Sequence, residues 1–191
     1  MTQDEQIRHD LDYVAAAVRR QDPAVGTPSI YFLWAVLVPI GFALPDFAPH
    51  LAGAYWFVAG IGGGLLSMWL GSRDAQRSGI RDREQGMRYG LHWLFTGIAF
   101  LLAGLPMFLD RVEPAAAVNT FMLVAGLAYT LAGVHLNRPI MWSGMLMLAA
   151  YAALQVFPTP RIWTVAGIAI GLSLAWAGIA ASRARLAGTA Q

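Results

Sequence analysis

Six stretches of this chain contain no Asp, Glu, Lys or Arg and run for 18–21 residues each: 28–45, 51–71, 89–109, 117–136, 139–157 and 162–182. Each is long enough to cross a hydrocarbon core of about 30 Å as a helix. In lipid every backbone N–H and C=O must find its partner within the segment, so these stretches are read as helices. Together they leave no room in 191 residues for a folded soluble domain. Composition agrees: 57% of residues are hydrophobic and 13% charged, against about 25% charged in soluble domains. The expected fold class is all-α, a polytopic membrane protein with six transmembrane helices.

The stretches come in pairs that repeat. Val58-Ala59-Gly60, Val124-Ala125-Gly126 and Val165-Ala166-Gly167 each sit in the second member of a pair. A small residue follows four positions after each glycine (Gly64, Thr130, Gly171), and a ring follows eleven after each valine (Trp69, His135, Trp176). Each first member opens on an apolar-x-Trp triplet or its variant: Phe32-Leu33-Trp34, Leu91-His92-Trp93, Ile140-Met141-Trp142. Such self-similarity predicts three tandem helical hairpins. Two spans per copy keep the copies in one orientation, related by an axis along the membrane normal.

Charge sets the expected topology. All thirteen basic residues are Arg; eleven fall on one side of alternating helices, and only Arg111 and Arg161 on the other. The positive-inside rule then places both termini in the cytoplasm of a bacterial inner membrane. Residues 1–27 are expected to hold a short amphipathic helix and a linker, with Ile7, Leu11, Val14 and Val18 as its apolar stripe and no cleavable leader. The bundle spans 28–182, and 183–191 form a cytoplasmic tail. The Arg-rich connection 72–88 is expected to set topology and touch anionic lipid rather than nucleic acid, with Asp74, Asp82 and Glu84 paired to the arginines among them.

Small residues provide the packing. Helices in lipid associate by close fit, so Gly60/Gly64, Gly126/Thr130 and Gly167/Gly171 are expected as packing faces that turn helices 2, 4 and 6 inward. Pro39 and Pro106 are expected to kink helices 1 and 3. Trp34, Trp69, Trp93, Trp142 and Trp176 project to the cytoplasmic interface, and Trp56 and Trp163 to the outer one, as two aromatic belts.

Little chemistry is visible. There are no cysteines, no nucleophile elbow, no Walker loop and no intramembrane carboxylate pair, so no enzyme, metal or cofactor is expected. The exceptions are His92 and His135, one on each helix of the second hairpin. With Arg88, Asn137 and Arg138 nearby they form a candidate ligand site for an anionic headgroup, a metal or a haem. The repeat favours a plainer role for His135, which stands where the other copies carry Trp69 and Trp176. On the outer side Asp46 and His50 have no further ligand close in sequence.

The run from Gly97 through Pro106 to Val124-Ala125-Gly126 and Gly133, within three tandem hairpins whose second helices are glycine-rich, resembles the HdeD-type six-span bacterial membrane proteins. That resemblance implies a three-hairpin fold and a link to acid resistance. The chain is also similar to six-span bacterial inner-membrane proteins to which no activity is attached.

The sequence points to a non-enzymatic interaction, stress-related or accessory module. Its partners would be the lipid bilayer, a cytoplasmic protein or a second copy, and no nucleic acid. The alternatives are a small-molecule carrier or channel with a cavity between helices 2, 4 and 6, and a haem- or metal-binding module built on His92 and His135.

Overall fold

The computed structural model describes residues 26–78, 83–135, 138–157 and 160–189, together with residue 6. Six helices follow one another: α1 (Pro28–Phe47), α2 (Pro49–Ser78), α3 (Arg83–Phe108), α4 (Pro114–His135), α5 (Arg138–Val156) and α6 (Ile162–Thr189). Proline opens α1, α2 and α4, where its missing N–H costs nothing and its fixed φ suits the first turn. There is no strand among the described residues. Five helices are long and apolar enough to cross a membrane; α5 carries the shorter apolar run Ile140–Val156. The chain is thus a multi-pass helical membrane protein. The expected amphipathic segment 2–20, residue 6 apart, and Asn137 of the expected tight turn lie outside the described residues.

The helices form a ring in chain order that is tight at two seams and open at a third. The most intimate pairs join different hairpins: α1 with α6, and α4 with α5. Glycine makes both approaches possible. A methyl group at Gly133 would overlap the Met141 backbone, one at Gly144 the Thr130 backbone, and one at Gly126 the Leu148 side chain. On the other seam Gly167 faces Phe42 and Pro39, and Gly171 faces Pro39 and the Ala35 carbonyl. Pro39 has no N–H to give that carbonyl four residues back, and the bare Cα of Gly171 lets α6 come close to it. The third seam differs. α2 and α3 meet at one end, where Gly53 packs on Met107 and the Phe57 and Phe108 rings lie 5.9 Å apart. Further along, Gly60 and Gly64 of α2 and Gly90 and Gly97 of α3 face open space.

This corrects one expectation. Helices 2, 4 and 6 do not jointly line the interior. The largest fully buried side chains, Val118, Met122, Ser143, Ile170 and Leu174, come from α4, α5 and α6, with Val38 and Phe42 of α1 beside them, while α2 adds only the small side chains of Ala52 and Ala59. α2 and α3 lie at the periphery and turn Val58, Leu65, Met68, Phe95 and Leu102 outward, as lipid-facing helices do. Buried Ser143 and half-buried Ser173 share a hydrogen bond at 2.8 Å that joins α5 to α6.

The tryptophans divide. Trp69, Trp142 and Trp176 are exposed, as belt residues should be. Trp34, Trp56, Trp93 and Trp163 pack against the core instead. Trp34 donates to Ser67 Oγ at 3.0 Å and ties α1 to α2; Trp163 stacks on Phe42 at 6.3 Å.

Two helices outrun their apolar stretches. α2 continues to Ser78 and α6 to Thr189, so much of the expected 72–88 connection and 183–191 tail is helical. Charge ends a span but not a helix, and Ala, Arg and Gln are good helix formers. At the opposite end Asp46 caps α6: its Oδ2 accepts from Thr164 N at 2.7 Å and Thr164 Oγ1 at 2.6 Å. Asp46→Ala is expected to cost about 1 kcal/mol, read as a lowered thermal midpoint in detergent, while Asp46→Asn keeps most of the cap.

Candidate functional site

The hydrophilic side chains of the described residues gather at the two ends of the bundle. At the end carrying most of the arginines, His92 rises from α3 against α4. Its Nε2–H donates to the Ala128 carbonyl at 3.0 Å, since a carbonyl oxygen can only accept. Trp93, beside it, sits edge-on to Tyr129 of α4 at 5.2 Å. Thr96 is buried and returns its hydroxyl to the His92 carbonyl at 2.8 Å. His92 is thereby a tie between the helices of the second hairpin, a role that Leu33 and Met141 at the matching positions cannot take.

The two histidines do not converge. His92 is bonded at the level of Ala128, seven residues before His135, or about 10 Å along the α4 axis. His135 is exposed, as are Trp69 and Trp176 at the same repeat position. Arg88 is exposed and pairs along its own helix with Glu84 at 2.6 Å. Arg138 opens α5, with its side chain outside the described residues, as is all of Asn137. Among the described residues no three of His, Asp and Glu gather in a way that could hold a metal ion.

A junction that sequence reading missed lies at the same end. Asp74 departs from the self-paired pattern expected of it. Its carboxylate takes a two-pronged bond from Arg185 of α6, at 2.7 Å to Oδ1 and 2.5 Å to Oδ2. Thr27, just before α1, adds a bond to Oδ2 at 3.0 Å. Arg185 also reaches the Gly26 carbonyl at 3.4 Å. The helical extensions of α2 and α6 exist to the length that lets these two side chains meet. The junction fastens α1, α2 and α6 beyond their apolar stretches.

The Arg185 guanidinium, ahead of the opposing effect of burial, holds the Asp74 carboxyl below its ordinary value of 3.8. A depressed acid stabilises the fold above its unfolded value and loses that contribution as pH falls through the folded one. The clasp is therefore complete at neutral pH and fails only below about pH 3.8. Both side chains are partly solvated, so Asp74→Asn is expected to cost about 1 kcal/mol at pH 7. The difference from wild type should shrink as pH falls below 3.8, followed as the thermal midpoint against pH.

Fold and site together define a class: a polytopic α-helical membrane protein whose polar groups serve as ties between helices. No protein-family model, curated protein or solved structure matches this chain. The functional reading therefore rests on its own geometry.

Proposed function

We propose that this chain is a non-enzymatic interaction module of a bacterial inner membrane, both termini cytoplasmic, and that it associates laterally with a second copy through α2 and α3. One observation carries the reading. The repeat supplies three equivalent seams between hairpins, and two are closed by a helix laid against a glycine face. At the third the same face, Gly60 and Gly64, is bare. The two closed seams indicate what fits the open one: an apolar transmembrane helix. Small-xxx-small faces hold such pairs by backbone proximity and van der Waals contact.

The carrier reading has less behind it. The two crevices found lie at one end of the bundle and on the outer face of α1 and α6, neither between α2, α4 and α6. The test is mass. Purified in lipid nanodiscs or mild detergent, the protein is expected to scatter as twice its 20.6 kDa after correction for lipid. A monomer at every protein-to-lipid ratio would remove the proposal.

A further inference from the structure

The end of the bundle opposite the Asp74–Arg185 clasp holds a crevice of about 460 Å³, within the size range of small-ligand sites. Its polar walls come from four separate places in the sequence: Asp46 at the end of α1, Asn119 in α4, Gln155 in α5 and Arg161 before α6. Pro45 and the Trp163 indole supply apolar surface between them. Two opposite charges thus face one crevice, yet no ion pair joins them.

Each group is held ready. Both Thr164 donors fall on the same carboxylate oxygen of Asp46, Oδ2. They fix the carboxylate and leave Oδ1 without a donor among the described residues. Asn119 Oδ1 is buried and makes no hydrogen bond, a state that folded proteins rarely leave unanswered. Arg161 has φ +62°, a left-handed conformation that costs a non-glycine residue energy and whose persistence points to a use. Its guanidinium lies over the Phe47 ring, 5.9 Å from the centroid. Glycine at 161 would relieve the backbone and lose the cation.

We infer that this crevice binds a small zwitterion, its primary ammonium toward Asp46 and Asn119 and its anionic oxygen toward Arg161. A carboxylate with an amide carbonyl matches an N–H donor of positive charge, and a guanidinium matches a phosphate or carboxylate. An ethanolamine phospholipid headgroup and a free amino acid share this chemistry. The inference does not depend on lateral association, which concerns the opposite flank of the molecule.

The test uses the full chain in nanodiscs with native mass spectrometry, offering phosphatidylethanolamine, phosphatidylcholine and phosphatidylglycerol in equal amounts. Glycine and O-phosphoethanolamine are titrated separately by calorimetry. The headgroup source predicts retention of phosphatidylethanolamine over the other two. The soluble source predicts saturable binding of glycine or O-phosphoethanolamine. In either case Arg161→Gly, Asn119→Leu and Asp46→Asn should each weaken binding at least tenfold. The first two remove strain or an orphaned acceptor, so their thermal midpoints without ligand should match or exceed wild type, which separates lost binding from lost folding. Equal retention of the three lipids with no binding of either soluble probe would overturn the inference, as would binding untouched by Asp46→Asn and Arg161→Gly.

Discussion

Replacing Gly144 with leucine will unseat α5 from α4 and cost the fold about 3 kcal/mol, the upper part of the range for overpacking a close-fitted site. The first atom added would meet the backbone of Thr130 and Tyr129, and backbone has no rotamer through which to yield. Gly133, against the backbone of Met141 on the same seam, should behave alike. Gly97→Leu provides the control: it lies in an equally apolar helix with nothing within 4 Å, and should leave the unfolding midpoint in denaturing detergent unchanged. Equal loss from Gly97→Leu and Gly144→Leu would mean that added bulk costs stability wherever it is placed, and that the close seam is not what is being measured.

The double change Gly60→Leu, Gly64→Leu will produce the opposite pattern. Stability of the single chain should hold or rise slightly, because leucine is favoured over glycine inside a helix by up to about 1 kcal/mol per residue and neither position has a neighbour to displace. Association should weaken at least tenfold, since two leucines on a small-residue face hold the backbones apart. Energy transfer between donor- and acceptor-labelled chains in vesicles, diluted with lipid, reads this directly. Unaltered transfer would move the contact away from α2. A large loss of folding stability would place Gly60 and Gly64 inside the bundle.

The transmembrane helices were largely legible in the sequence, because absence of charge over about 20 residues is the signal that lipid demands. Their ends were less so. Arg73, Asp74 and Arg77 stop an apolar stretch at 71, but nothing in them stops a helix, and α2 runs on to Ser78. The glycine faces were legible as faces and not as contacts. Small residues announce that something comes close; they do not say what. Gly167 and Gly171 meet α1, Gly126 and Gly133 meet α5, and Gly60 and Gly64 meet nothing among the described residues.

The ties between helices were the least legible. Asp46 finds Thr164 across 118 positions and Asp74 finds Arg185 across 111. No local spacing marks such a pair, so Asp74 looked like one more solvated charge among arginines. The second hairpin offered a partial signal. His135 stood in register with two tryptophans and shares their exposure, whereas His92 broke the repeat and proves to bond a neighbouring backbone. Departures from the internal repeat marked specific interactions better than residue type did.

If the open α2–α3 seam receives a helix from a second copy, cysteine cross-linking in native membranes will show it. The chain has no cysteine of its own, so each introduced thiol reports alone. Ile61 and Leu65 lie beside the bare glycines and are 43% and 63% exposed; Leu172 of α6, 67% exposed, lies on another flank. Under mild oxidation Ile61→Cys or Leu65→Cys should yield a disulfide dimer and Leu172→Cys should not. Dimers from all three alike, or from none, would contradict the account.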